Sequence, residues 1–123
     1  MSSDINQFKE SKYINLETYR KNGKAVITPV WFVFERETFF VITRSRTGKV
    51  KRMRHNPNVR ISPCSFRGKM RGKWVDGHVS FVDPIDFPRI ISLRNKKYGI
   101  ISKIASLFTM GKGEFIIVSI KTV

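Results

Sequence analysis

The stretch Ala25–Phe34, AVITPVWFVF, constrains the fold more than any other part of the chain. It is rich in β-branched and aromatic residues, which suit extended backbone. It is also apolar on both faces. Such a strand is buried on both sides, or lies between a barrel interior and a partner. Yet it carries Pro29. Proline has no N–H to give to a ladder, so one side of this strand has to be unpaired there.

The segments around it read as further strands. YINLETY (13–19) precedes it across Asn22-Gly23, a strong hairpin turn signal. TFFVITR (38–44) follows it, so the first three strands read as an antiparallel meander. VRISPCSF (59–66), WVDGHVSFVD (74–83, with Gly77 as a bulge or bend) and EFIIVSIKTV (114–123) complete six strands. Between them, Val50 and Met53 form a narrow apolar stripe on a short basic helix, begun by Ser45 or Thr47 and stopped by Pro57. Asp86 can cap a second helix with Pro88 in its first turn and Gly99 at its end. A third amphipathic segment covers Ile100–Met110; its apolar side predicts a core-facing helix, with contact to a membrane surface as the alternative. Six strands with one buried face must hide their edges, and a small antiparallel barrel does so economically.

With 123 residues the chain suits one domain, expected over 13–123 after a polar lead-in at 1–12. No apolar run approaches the ~20 residues of a membrane-spanning helix. The N-terminus has no apolar segment of the signal-peptide kind, and the one cysteine, Cys64, leaves no internal disulfide. These features predict a cytoplasmic protein without an integral membrane segment. Two histidines and one cysteine without ligand-like spacing make no metal site.

The charge is the second constraint. The formal net charge is +15, which predicts attraction to a polyanion. From Thr38 to Val75 there is no Asp or Glu, yet eleven Lys and Arg occur there. Arg44, Arg46 and Lys49 cluster at the start of the basic helix, where the helix dipole is already positive. A phosphate would turn each of these repulsions into an attraction, with Thr43 and Ser45 as hydroxyl donors. A solvated basic face is the alternative. The backbone around Thr28–Trp31 could border a flat heterocycle, although taken alone an edge-strand proline at a bulge explains it better. Trp31 and Trp74 are of the type that usually fills cores or interfaces. No Ser, Cys, His or carboxylate stands in a catalytic constellation, so no acid–base residue is assigned. Any redox chemistry would then belong to a bound cofactor.

The strand TPVWF, the threonine ending the third strand, GKVKRMRHNP, RISPC and the W-V-D-G strand together resemble the pyridoxamine-phosphate-oxidase-like split-barrel flavoproteins. The likeness runs from about Tyr13 to Asp83 and is nearest to the branch that uses the deazaflavin coenzyme F420. It implies a mainly β fold, a six-stranded antiparallel split barrel with short flanking helices. It implies a homodimer with cofactor sites in grooves at the interface. The phosphate would sit beside Thr43, Lys49, Lys51 and Arg52, with Ser45 close by. Thr28, Pro29, Val30 and Trp31 would border the ring. Arg67, Lys69, Arg71 and Trp74 would close the groove or come from the second subunit. The implied activity is hydride transfer between bound F420 and a small organic substrate, with FMN as the rival cofactor. The acid-free basic groove suits the long anionic tail of F420 better than compact FMN. A different class, a basic barrel binding single-stranded nucleic acid, predicts exposed aromatics on one sheet face and steep salt dependence.

Overall fold

A computed structural model describes residues 5–99 and 114–123. The Ile100–Met110 segment lies outside the described residues. One antiparallel sheet of seven strands dominates: β1 (Tyr13–Tyr19), β2 (Ala25–Trp31), β3 (Val33–Glu35), β4 (Thr38–Arg44), β5 (Asn58–Cys64), β6 (Val75–Phe81) and β7 (Phe115–Thr122). Helix α1 (Gly48–His55) joins β4 to β5, and α2 (Phe87–Tyr98) follows β6. The strand order is β2-β1-β5-β6-β7-β4-β3. Its two ends, β2 and β3, are consecutive pieces of one chain. The ladder therefore returns to its own beginning and forms a split barrel.

Seven strands appear where six were expected because the long apolar strand breaks at Phe32. Its first part pairs with β1 and its last part with β4. At Phe32 the backbone leaves both ladders and turns to α2. The Phe32 N–H donates to the Tyr98 hydroxyl (3.1 Å), and the Phe32 carbonyl accepts from Tyr98 (2.8 Å) and from Lys97 Nζ (2.9 Å). The meander reading holds across this divided strand, since 13–19 pairs with its first part and 38–44 with its last, although β2 and β4 themselves are not ladder neighbours. Pro29 of β2 sits opposite Asn15, and among the described residues β2 has one ladder partner only, so the missing N–H costs no bond there.

Two layers are packed by this sheet. Inside the barrel lie Ile14, Leu16, Phe39, Val41, Val59, Ile61, Val79, Val118 and Ile120. Val50 and Met53 plug one end from α1, both fully buried. Phe8 plugs from the lead-in, 4.8 Å edge-on to Phe39, so a segment read as polar supplies a core ring. On the outer face Phe40 and Ile117 pack against Ile90 of α2.

Several local expectations changed. Asn22-Gly23 does make the β1–β2 turn, with Gly23 at φ 86°. Asp86 does not cap α2; Asp83 instead accepts from the Ile85 N–H (3.0 Å) ahead of it. Gly77 is no bulge. It pairs regularly with Val59 and Thr122, and is glycine because a Cβ would lie 2.7 Å from Ile120 Cγ2. Gly77→Ala should therefore cost about 1–3 kcal/mol through overpacking, read from denaturant melts; a neutral result would mean that Ile120 repacks freely.

Lys97 places an amine on the Phe32 ring, 3.5 Å from its centroid, and burial lowers its pKa to about 8. In the unfolded chain it would hold its proton to a higher pH. Below about pH 8 the fold bears the cost of a buried charge; this cost falls as pH rises through 8 and is gone once the unfolded lysine also titrates. Stability should accordingly climb by about 1–2 kcal/mol between roughly pH 8 and 10.5. Lys97→Met should flatten that climb in melts taken across the range.

Candidate functional site

The sequence of α1 places its charges on two flanks of a buried stripe. Val50 and Met53 face the barrel. At 100° per residue, Lys49 and Arg52 fall on one flank and Lys51 and Arg54 on the other. Lys49 is half-buried, and its pKa is lowered first by burial and then by the neighbouring Arg52. Arg52 is held by its Nε–H donating to Thr18 Oγ1 on β1 (2.7 Å). Its pKa is lowered by burial and by Arg20, which comes from the β1–β2 turn. The guanidinium folds back along the helix, so a Cβ on Gly48 would lie 2.9 Å from Arg52 Nη1. That glycine keeps the cation at the helix start.

The first turn of α1 is otherwise open. It contains no acidic residue and no side chain caps it. Thr47 stands at the cap position, but its hydroxyl donates back to the Arg44 carbonyl (3.0 Å). Three cations from two elements thus gather at backbone N–H groups without a carboxylate among their described partners. This arrangement can neutralise a phosphate by dipole, backbone and guanidinium together.

The other expected site residues belong to β2, to the end of β4 and the turn after it, to the far flank of α1 and to the segment between β5 and β6. Thr43 is buried on the barrel-facing side of β4, opposite Ile116, and Ser45 gives its backbone N–H to Glu114. Lys51 is exposed on the far flank. Thr28 and Val30 are half-buried on the inner side of β2, whereas Pro29 and Trp31 alternate to the outer side, Pro29 exposed. Trp31 is not a bare platform: Tyr98 stacks on it at 4.2 Å and 4°, and Arg94 lies 4.8 Å from its centroid. Trp74 lies under Arg60 (4.8 Å), which pairs with the buried Glu17 through Nε (2.8 Å) and Nη2 (3.3 Å). Arg67, Lys69 and Arg71 are exposed on the loop between β5 and β6. That loop is fastened to the outer face of β1 at Asn15, whereas Arg52 meets β1 at Thr18 on the inner face. The two basic groups are therefore fastened to opposite faces of β1.

Residues the sequence reading missed are Thr18, Arg20, Arg94, Lys97 and Tyr98. Arg94 and Tyr98 share one face at i, i+4 spacing, a signal that marks a surface-binding stripe but not its target. Arg94 is 5 % exposed, meets no carboxylate among the described residues, and has its pKa lowered by burial. His55 and His78 are exposed. Among the described residues no group of three or more His, Cys, Asp or Glu could hold a metal ion. No described helix is long and apolar enough to cross a membrane.

An antiparallel ladder that curls back until its two end strands are consecutive pieces of chain, with a basic helix across one end, defines the split-barrel class. The family model described as pyridoxamine 5'-phosphate oxidase matches residues 1–123, so the chain belongs to that family. No curated protein matches it significantly. Among solved structures it is similar to HutZ, the heme storage protein of Vibrio cholerae: TM-score 0.74, 19% identity, covering 98% of this chain and 89% of that one. It is similar to an F420 reductase at TM-score 0.72 and 18% identity, over 96% and 91% of the two chains. General Stress Protein 26 of Bacillus anthracis str. Sterne follows at TM-score 0.67 and 17% identity, over 98% and 87%. At such identities the likeness carries the fold.

Proposed function

We propose that the chain is an oxidoreductase that binds a phosphate-bearing redox cofactor, coenzyme F420 in first place and FMN as its rival, and acts on a small organic substrate. The observation that carries this is the meeting of Lys49 and Arg52 at the uncapped start of α1, with Arg20 beside them and no acid in the first turn. A half-buried lysine beside a half-buried arginine is unfavourable until an anion joins them. Lys49 and Arg52 would hold the phosphate. Thr18 fixes the guanidinium, and Gly48 leaves it room. When bound, the cofactor supplies the hydride-carrying ring. Family membership favours β2 as the border of that ring, with Trp31 braced from behind by Tyr98.

The free side of β2, with Ile27 50 % exposed, suits pairing with a second copy, and the reading includes a homodimer with the site at its interface. Arg67 and Lys69 would then reach the groove from the other subunit. F420 ranks above FMN because Arg20 extends the cationic track beyond one phosphate, toward Lys21 and Lys24 of the turn.

The test is a titration of purified protein with F420 and with FMN, followed by absorbance and fluorescence. Stoichiometric binding of F420, tighter than FMN, is the expected result. Indifference to both, alongside salt-sensitive oligonucleotide binding, would replace this reading with the nucleic-acid one.

A further inference from the structure

One buried charge on the outer face of the sheet takes no part in the anion cluster. Glu17 of β1 is 5 % exposed. Its carboxylate is tied at both oxygens. Oε1 accepts from the Tyr19 hydroxyl (2.7 Å) and from Arg60 Nε (2.8 Å), and Oε2 accepts from Arg60 Nη2 (3.3 Å). The bond from Arg60 is the leading reason that the pKa of Glu17 is lowered despite burial. Arg60 of β5 stands between two acids in the ladder, Glu17 on β1 and Asp76 on β6, and pairs with Glu17.

Trp74 rests on that guanidinium, with Arg60 Cζ 4.8 Å from the ring centroid. It leads into β6 two residues before Asp76, so it stands on the same face as Arg60. Trp74 is half-buried, belongs to neither apolar cluster and pairs with no other ring among the described residues. An ion pair at a buried carboxylate adds little to stability, because desolvation offsets much of the attraction. What a two-point contact between carboxylate and guanidinium does supply is direction. With Nε and Nη2 both committed to Glu17, the guanidinium plane is fixed, and the indole lying on it is fixed in turn. An indole at the end of a loop would otherwise sample several rotamers.

We propose that Glu17 and Arg60 are positioning residues, which hold the Trp74 indole in the orientation from which it packs on the flat ring of the cofactor. The inference rests on the reading above, in which the segment between β5 and β6 reaches the groove of the second copy. Trp74 ends that segment. Neither Glu17 nor Arg60 need touch the cofactor; each acts through the indole. Fixing the ring beforehand removes an ordering cost that binding would otherwise meet. A purely structural ion pair needs the two charges but not the plane of the guanidinium, and that difference separates the two roles.

The experiment runs the F420 and FMN titrations on the parent, on Trp74→Leu, on Arg60→Lys and on the double variant Glu17→Gln, Arg60→Met. The double variant removes both charges together, so no buried carboxylate is left unpaired and the fold is kept. Trp74→Leu should weaken cofactor binding by about 10-fold, the usual effect of losing one aromatic stacked on a flat heterocycle. Arg60→Lys keeps the charge and loses the plane. It and the double variant should each weaken binding by about 3- to 10-fold, the ordering cost of one side chain, with little change in thermal melt. Time-resolved tryptophan anisotropy of the cofactor-free proteins is the second readout. The chain has two tryptophans, so Trp74→Leu supplies the signal of Trp31 alone. Faster indole motion is expected in Arg60→Lys and in the double variant. Parent-like anisotropy and affinity in Arg60→Lys would overturn the proposal, since a charge would then suffice. So would a Trp74→Leu protein that binds like the parent. A parent that binds neither cofactor would instead overturn the underlying reading, and this inference with it.

Discussion

Replacing Lys49 and Arg52 together by Met is expected to weaken cofactor binding by about 100-fold or more, measured in the same F420 and FMN titrations. Each side chain offers a charge-assisted bond of about 1.5–3 kcal/mol to a phosphate, and about 1.4 kcal/mol is tenfold. The loss should exceed the change in fold stability, because neither cation has a carboxylate partner among the described residues. Arg52 gives up one bond to Thr18, so the melt should move slightly. Lys51→Met is the informative companion. It lies on the far flank of the helix and should cost less than about fivefold, the range of a screened surface charge. Equal losses at 49 and 51 would mean that the anion lies along the exposed crest of α1 rather than at its start.

The second large effect concerns the fold. Tyr98→Ala should destabilise the protein by about 3–5 kcal/mol, the usual cost of removing a large packed aromatic. The ring stacks on Trp31, and the hydroxyl serves the backbone at the break between β2 and β3. Its single proton has two carbonyls in reach, those of Lys12 (2.6 Å) and Phe32 (2.8 Å), while its lone pair takes the Phe32 N–H. Burial pushes the phenol's pKa well above its usual range, and the hydrogen bond with the Phe32 backbone offsets part of that rise. Tyr98→Phe retains the stack and removes the bonds, and should cost about 1–3 kcal/mol. Chemical denaturation of the two variants separates stacking from hydrogen bonding. If Tyr98→Phe melts like the parent, the break at Phe32 is held by Lys97 or by packing alone.

Much of the barrel was legible because its signals are local. Strand composition and turn chemistry located the strands to within a few residues, with β2 and β3 read as one, and Val50 and Met53 announced the buried side of α1. Pro29 announced an unpaired strand side. What stayed hidden was the partner of each local feature. Phe32 looks like the middle of a strand; only the arrival of Tyr98, 66 residues later, makes it a break. Phe8 looks like part of a polar lead-in until the barrel end receives it. Lys49, Lys51 and Arg52 look like one cluster in sequence, and the helix divides them.

From the residues alone came the element types, the buried stripes and the excess of cation over acid, because each of these is set by neighbours within a few positions. Which cations converge was decided in three dimensions. Arg20 and Arg52 are brought together by the way the β1–β2 turn and α1 share one end of the barrel, while Arg67 and Lys69 are carried to the opposite face. The pleat causes this: adjacent residues of β1 point to opposite sides, so contacts made at Thr18 and at Asn15 belong to different surfaces.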